Sequence, residues 1–142
     1  MAISLVNVVG GLYTWLTTDS DLNTAIGGSS GVAGRLYYGL APKGAALPLV
    51  MYEVTANRDE IPTMSEASYA VTVEFEIVET KEAGPRACMD INDKLRDRLS
   101  RQTFTITGAT MLAAALGVER GPVNVDQAYV QTVDYLIRGF AS

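Results

Sequence analysis

The chain has no histidine and a single cysteine, Cys88. Lacking imidazole, it has no side chain that switches charge near neutral pH at its ordinary pKa, and it lacks the commonest metal ligand. One thiol excludes an internal disulfide and a cysteine-pair zinc site, and fits a protein made in a reducing cytoplasm. Charge is also sparse: 19% of the 142 residues are charged, 11 basic against 16 acidic, for a net charge of −5. Broad gripping of nucleic acid needs clustered Lys and Arg to displace counterions from phosphates, and this balance argues against it. No apolar run reaches the roughly 20 residues that span a bilayer. The most apolar stretch, Met1 to Leu16, also lacks the basic start and cleavage site of a signal peptide, so neither export nor a membrane anchor is expected.

What is present is an ordinary globular composition, 48% apolar, on a chain long enough to hide roughly two-thirds of its unfolded surface. One domain spanning 1–142 is expected. Leu5, Val8, Val9, Leu12, Trp15 and Leu16 recur at helical spacing and predict a first helix. Gly10 and Gly11 inside it cost about 1 kcal/mol each relative to alanine, and the pair points to close packing there. Thr18 to Asp21 are helix-starting residues, with Leu22 and Ile26 following, so a short second helix ends at Gly27. Gly27 to Gly34, GGSSGVAG, reads as a flexible loop.

Strands follow. Arg35 to Leu40 and Leu49 to Thr55 flank the turn residues of Ala41 to Pro48 and are expected to pair as a hairpin. Asn57 to Glu66 is a long polar loop holding Arg58, Asp59, Glu60 and Glu66. The clearest strand is Tyr69 to Glu79, in which Tyr69, Val71, Val73, Phe75 and Ile77 alternate with a face carrying Glu74 and Glu76. Gly84 and Pro85 open a helix whose apolar stripe is Ala87, Cys88, Ile91, Leu95 and Leu99, ending near Ser100. Thr103 to Thr107 is strand-like, and Ala109 to Val118 fits helix or strand. Gly121, Pro122 and Asn124 to Gln127 supply turn residues before a last strand, Ala128 to Phe140, with Tyr129, Val133, Tyr135 and Ile137 on one side. The order predicts an α+β fold: a mainly antiparallel sheet with helices packed on one face, a two-layer sandwich.

Candidate chemistry is thin. Ser29 and Ser30 have no histidine to activate them and read as loop serines. The glycines around them lack the Lys-Ser or Lys-Thr of a phosphate loop. Glu74 and Glu76 share one strand face, as a carboxylate pair for acid-base work would, but fit a solvated or subunit-facing surface better. On the later helix, Asp90 with Lys94 and Asp97 with Arg101 are spaced as i,i+4 ion pairs, and the interleaved acids cancel the field of Lys94, Arg96, Arg98 and Arg101. The strand tyrosines read as core, and Cys88 as a small buried hydrophobe. No catalytic, cofactor-binding or metal-ligating residue is assigned.

The layout carries a resemblance where the chemistry does not. The stretch RLYYGLAPKGAALPLVMY from Arg35 to Tyr52, the N-terminal helix with Asp21-Leu22 and a Gly-rich loop, the strand VTVEFEIVE, the helix ACMDINDKLRDRL and the closing strand AYVQTVDYLIRGF together resemble the tail terminator, or tail completion, proteins of long-tailed bacteriophages. The resemblance covers nearly the whole chain. It implies a non-enzymatic virion protein, made in the host cytoplasm and placed at the head-tail junction. Such a protein joins itself into a homo-hexameric ring, caps the tail tube protein, ends tail polymerisation and offers a docking surface to a head-completion or stopper protein. DNA passes through the lumen without sequence recognition. On that reading Arg58, Asp59, Glu60 and Glu66 form an interface or lumen loop, and Glu74 and Glu76 a subunit contact. Two other readings stand beside it: a head-tail stopper or connector, and, from another class, a small-ligand-binding α+β domain.

Overall fold

The structure is a computed structural model that describes residues 4–56 and 68–141. Its elements are α1 (Leu5–Thr17), α2 (Ser20–Ala25), β1 (Leu36–Tyr38), β2 (Leu49–Ala56), β3 (Ser68–Thr80), α3 (Pro85–Ser100), β4 (Phe104–Ile106), β5 (Ala109–Met111), β6 (Ala115–Val125) and β7 (Ala128–Ala141). The long pair is β3 with β7, antiparallel from Ser68 opposite Phe140 to Thr80 opposite Ala128. Because strand side chains alternate, one face of this pair collects Val71, Val73, Phe75, Ile77, Val133, Tyr135 and Ile137, all fully buried. Phe75 lies between Tyr52 and Tyr135 with ring centroids 5.9 Å away on each side, so an aromatic row ties three strands together.

Helical spacing fills the rest of the core. Val8, Leu12 and Leu16 of α1 and Cys88, Ile91, Leu95 and Leu99 of α3 join the same cluster. Pro85 at the first position of α3 follows Gly84, whose φ of 83° turns the chain into the helix. The two helices are clamped where Trp15 Nε1 donates to the Arg98 carbonyl (3.2 Å) and Arg98 Nε donates to the Trp15 carbonyl (3.0 Å). The Arg98 guanidinium lies 3.3 Å from the indole centroid and Phe104 stacks on that indole at 5.4 Å.

The sheet runs β1-β2-β3-β7-β5-β4, with β6 also on β7. Along one side of β7, β6 pairs with Ala128 to Leu136 and β5 with Gly139 to Ala141. The chain is thus mixed helix and strand, mostly strand, and its sheet is curled into a half-barrel. α1 touches β1, β2 and β4, while α3 touches β3, β6 and β7.

Two readings of the sequence change, and one left open between helix and strand is settled as strand. The Arg35–Leu40 and Leu49–Thr55 segments do not form a hairpin: β1 and β2 are parallel, with Leu36 opposite Val50 and Tyr38 opposite Tyr52. The connector is too long for a tight hairpin turn. Gly39 and Gly44, both at positive φ, carry it back to the start of β1, where Arg35 Nε donates to the Pro48 carbonyl at 2.9 Å. Gly121 and Pro122 are not a turn but lie within β6, at a register shift between Arg120 and Val123. An edge strand accepts proline because its outward N–H has no ladder partner to lose. The reversal itself is the Asp126-Gln127 pair, at φ 47° and 69°, as a two-residue hairpin turn requires. Ala109 to Val118 resolves into β5 and the start of β6.

The two helix glycines differ. A Cβ on Gly11 would collide with the Ile106 side chain, whereas one on Gly10 would meet nothing within 4 Å. Gly10→Ala is therefore expected to raise stability by about 1 kcal/mol, and Gly11→Ala to lower it. Urea midpoints at unchanged m measure both; the opposite order would contradict the packing of β4 on α1.

Candidate functional site

Register, not sequence proximity, builds the outward face of the sheet. The outward face of β3 carries Glu74 and Glu76, which the strand period places two residues apart on one side. Glu74 stands opposite Glu53 of β2 and opposite Asp134 of β7. Three carboxylates thus line up across three adjoining strands. The next row is Met51, Glu76 and Thr132, with Arg120 of β6 opposite Thr132. Glu53 and Glu74 are exposed and Asp134 half-buried. Directly opposed like charges are unfavourable, and water and salt moderate the cost at such exposure. Val118 of β6 borders this acidic row together with Arg120.

β6 is the least covered element: every residue but Pro122 is exposed. One inward anchor holds it. Glu119 accepts from Asn92 Nδ2 at 2.9 Å and from Arg96 Nη2, both on α3. The Asn92 hydrogen bond, helped by the Arg96 cation and opposed by partial burial, keeps the Glu119 carboxyl below the usual carboxylate range. Its folded value being the lower one, this contribution is present above the ordinary glutamate range and fades as pH falls through the depressed value. Nothing local in the sequence marks this triad, because Glu119 lies far along the chain from both partners.

The remaining singled-out residues are structural. Lys94 pairs with Asp90 at 2.7 Å and Arg101 with Asp97 at 3.7 Å, the two spacings expected on the helix. Arg96 and Arg98 are taken up by Glu119 and by Trp15, so the basic residues of α3 do not form one patch. Cys88 is buried, and burial, then Glu79, pushes its thiol up to about 11, far from a reactive thiolate. Tyr52 donates to the Val9 carbonyl at 3.0 Å. Burial pushes its hydroxyl and that of Tyr135 up to about 12. Ser29 and Ser30 sit in a loop that is tied down, not loose: Ser29 bridges Val32, and buried Asn23 donates to the Val32 carbonyl (3.0 Å) and accepts from the Gly34 amide (2.5 Å). Among the described residues no group of three or more His, Cys, Asp or Glu is placed to hold a metal ion, and no helix is long and apolar enough to cross a membrane. Arg58, Asp59, Glu60 and Glu66 lie outside the described residues.

The described residues thus present an acidic sheet face and an open strand edge. Residues 10–134 match the model of the family "Tail completion protein gp17". The chain belongs to that family. Membership makes it a structural protein of a phage-type tail, as its strand and helix layout led us to expect. No curated protein matches it. Among solved structures, a chain described as "Virion of native gene transfer agent (GTA) particle" is similar at 14% identity and a TM-score of 0.65, over 97% of this chain and 98% of that one. A second is similar at 11% identity and a TM-score of 0.68, over 99% of both chains. At these identities the two likenesses speak for the fold.

The acidic row yields a test independent of assembly. Removing its middle charge with Glu74→Gln relieves repulsion from both neighbours, so the isolated chain is expected to gain about 0.5 kcal/mol, with the gain shrinking in high salt. Chemical denaturation at two ionic strengths measures it; a loss of stability would mean that Glu74 is favourably paired.

Proposed function

We propose that this chain is a tail terminator: six copies close into a ring that caps the tail tube, ends its polymerisation and presents the surface to which the filled head docks. The observation that carries this reading is membership of the tail completion family over residues 10–134. Its partners are then copies of itself, the tail tube protein and a head-completion or stopper protein, and its place is the head-tail junction. The whole chain, 1–142, acts as one domain without an enzymatic role. As a two-layer sandwich with its helices over one face of the sheet, it leaves the opposite face, with Glu74 and Glu76, to a neighbouring subunit.

A closed ring needs a heterologous contact, in which one patch meets a different patch on the next copy. A ring that lets DNA slide should not hold phosphate, and a net charge of −5 suits a lumen that repels it. Arg58, Asp59, Glu60 and Glu66 belong to a loop that we assign to the lumen or to the tube contact.

The decisive experiment disrupts the gene in the particle that encodes it and measures tail lengths by negative-stain microscopy. Overlong tails beside unattached filled heads are expected. Tails of normal length would contradict termination and favour a stopper or connector. In complemented particles, reversing Asp59 and Glu60 to lysine is expected to slow DNA ejection, and unchanged ejection and assembly would remove the loop from the mechanism.

A further inference from the structure

We propose that the open edge of β6 is the seat of the next copy of this chain, which pairs there through its own β1 edge so that the curled sheet continues from subunit to subunit. This rests on the ring reading and specifies its contact. Among the described residues β6 pairs with no strand but β7. A long edge strand with bare backbone groups and half-exposed Leu116, Val118, Val123 and Val125 is a template for another strand, and isolated proteins usually shorten or cover such edges. The register shifts and Pro122 interrupt it, leaving short straight segments at either end.

The partner edge is on the same chain. β1 ends the sheet on the side away from β7, is three residues long, and closes on exposed Tyr38, with exposed Leu40 just beyond it. Strand directions fit. β1 runs with β2, against β3, with β7 and against β6. If the next sheet continues in the same orientation, its β1 meets β6 antiparallel, the better-bonded arrangement. Charge fits as well. Between Gly34 and Leu49 the only charged residues are Arg35 and Lys43, both basic, and Lys43 is exposed. Beside β6 lie Glu74 and Asp134, which border Val118 together with one base, Arg120, and Asp126 at the hairpin tip. The β1 strand and the loop after it carry only bases, with Glu53 one strand in on β2, and the β6 side is mainly acidic, which favours head-to-tail contact over like edges meeting. Two different patches at opposite ends of one curved sheet are what a heterologous ring contact requires.

The test is a cysteine scan in assembled particles. In a Cys88→Ala background, Tyr38→Cys is combined in turn with Leu116→Cys, Val118→Cys, Val123→Cys and Val125→Cys, and purified particles are oxidised and run on non-reducing denaturing gels. At least one pair is expected to give a reductant-sensitive ladder of multimers of this chain that neither single cysteine gives. Chain present in the particles with no ladder from any pair would overturn the edge contact and leave the ring reading standing. Cross-linking of the β6 cysteines to a different protein would also overturn it, by giving that edge to another occupant. Absence of the unaltered chain from particles would sink the ring reading and this contact together. As a second measurement, Val118→Lys, with circular dichroism and melting temperature unchanged, is expected to be at least tenfold depleted from particles; undiminished incorporation would overturn the proposal.

Discussion

The β3–β7 ladder is the constraint from which the other parts of the molecule take their places. Its register is continuous from Ser68 opposite Phe140 to Thr80 opposite Ala128, and a one-residue slip of β7 against β3 would send Val133, Tyr135 and Ile137 into water and Asp134 into the core. With seven fully buried side chains on its inner face, each worth about 1.5–3 kcal/mol of burial if apolar and large, such a slip is prohibitively unfavourable. The same register that fixes the core therefore fixes the acidic row outside it. β2 adds Tyr52 to the inner aromatic row and Glu53 to the outer carboxylate row in a single pairing.

Around that ladder the sheet is finished unequally. One end is closed onto helices: β4 packs on α1 through the Trp15–Phe104 stack, and Arg98 clamps α1 to α3. The other strand on β7, β6, is held from inside by Glu119 on Asn92 and Arg96 and is otherwise open. A protein that worked alone would gain by covering such a strand. One that assembles has reason to keep it free, and the tail completion family is a family of assembling proteins.

Much of the fold was legible because its determinants are local. The alternation in Tyr69 to Glu79 and Ala128 to Phe140, the stripe from Cys88 to Leu99 and the Gly84-Pro85 start each express a period or a backbone preference within one element. Strand direction is not local: nothing in the sequence between Arg35 and Tyr52 distinguishes a hairpin from a chain that loops back to run parallel, whereas the pairing of Leu36 with Val50 and Tyr38 with Tyr52 does. Gly121 and Pro122 misled for a related reason, since turn chemistry and edge-strand tolerance use the same residues. Asn23 and Glu119, which organise the Gly-rich loop and the β6 edge, act through partners distant in sequence or hidden in loop geometry. The absence of histidine and of paired cysteines narrowed the chemistry, but family likeness, not any reactive motif, pointed to the tail.

The central proposal is one of position: a single ring of this chain sits at the end of the tail that meets the head. Gold labelling of an affinity tag on the chain, viewed in purified particles, tests it most directly. The account predicts label confined to the head-proximal end of the tail. Label distributed along the tube, or confined to the far tip, would contradict it.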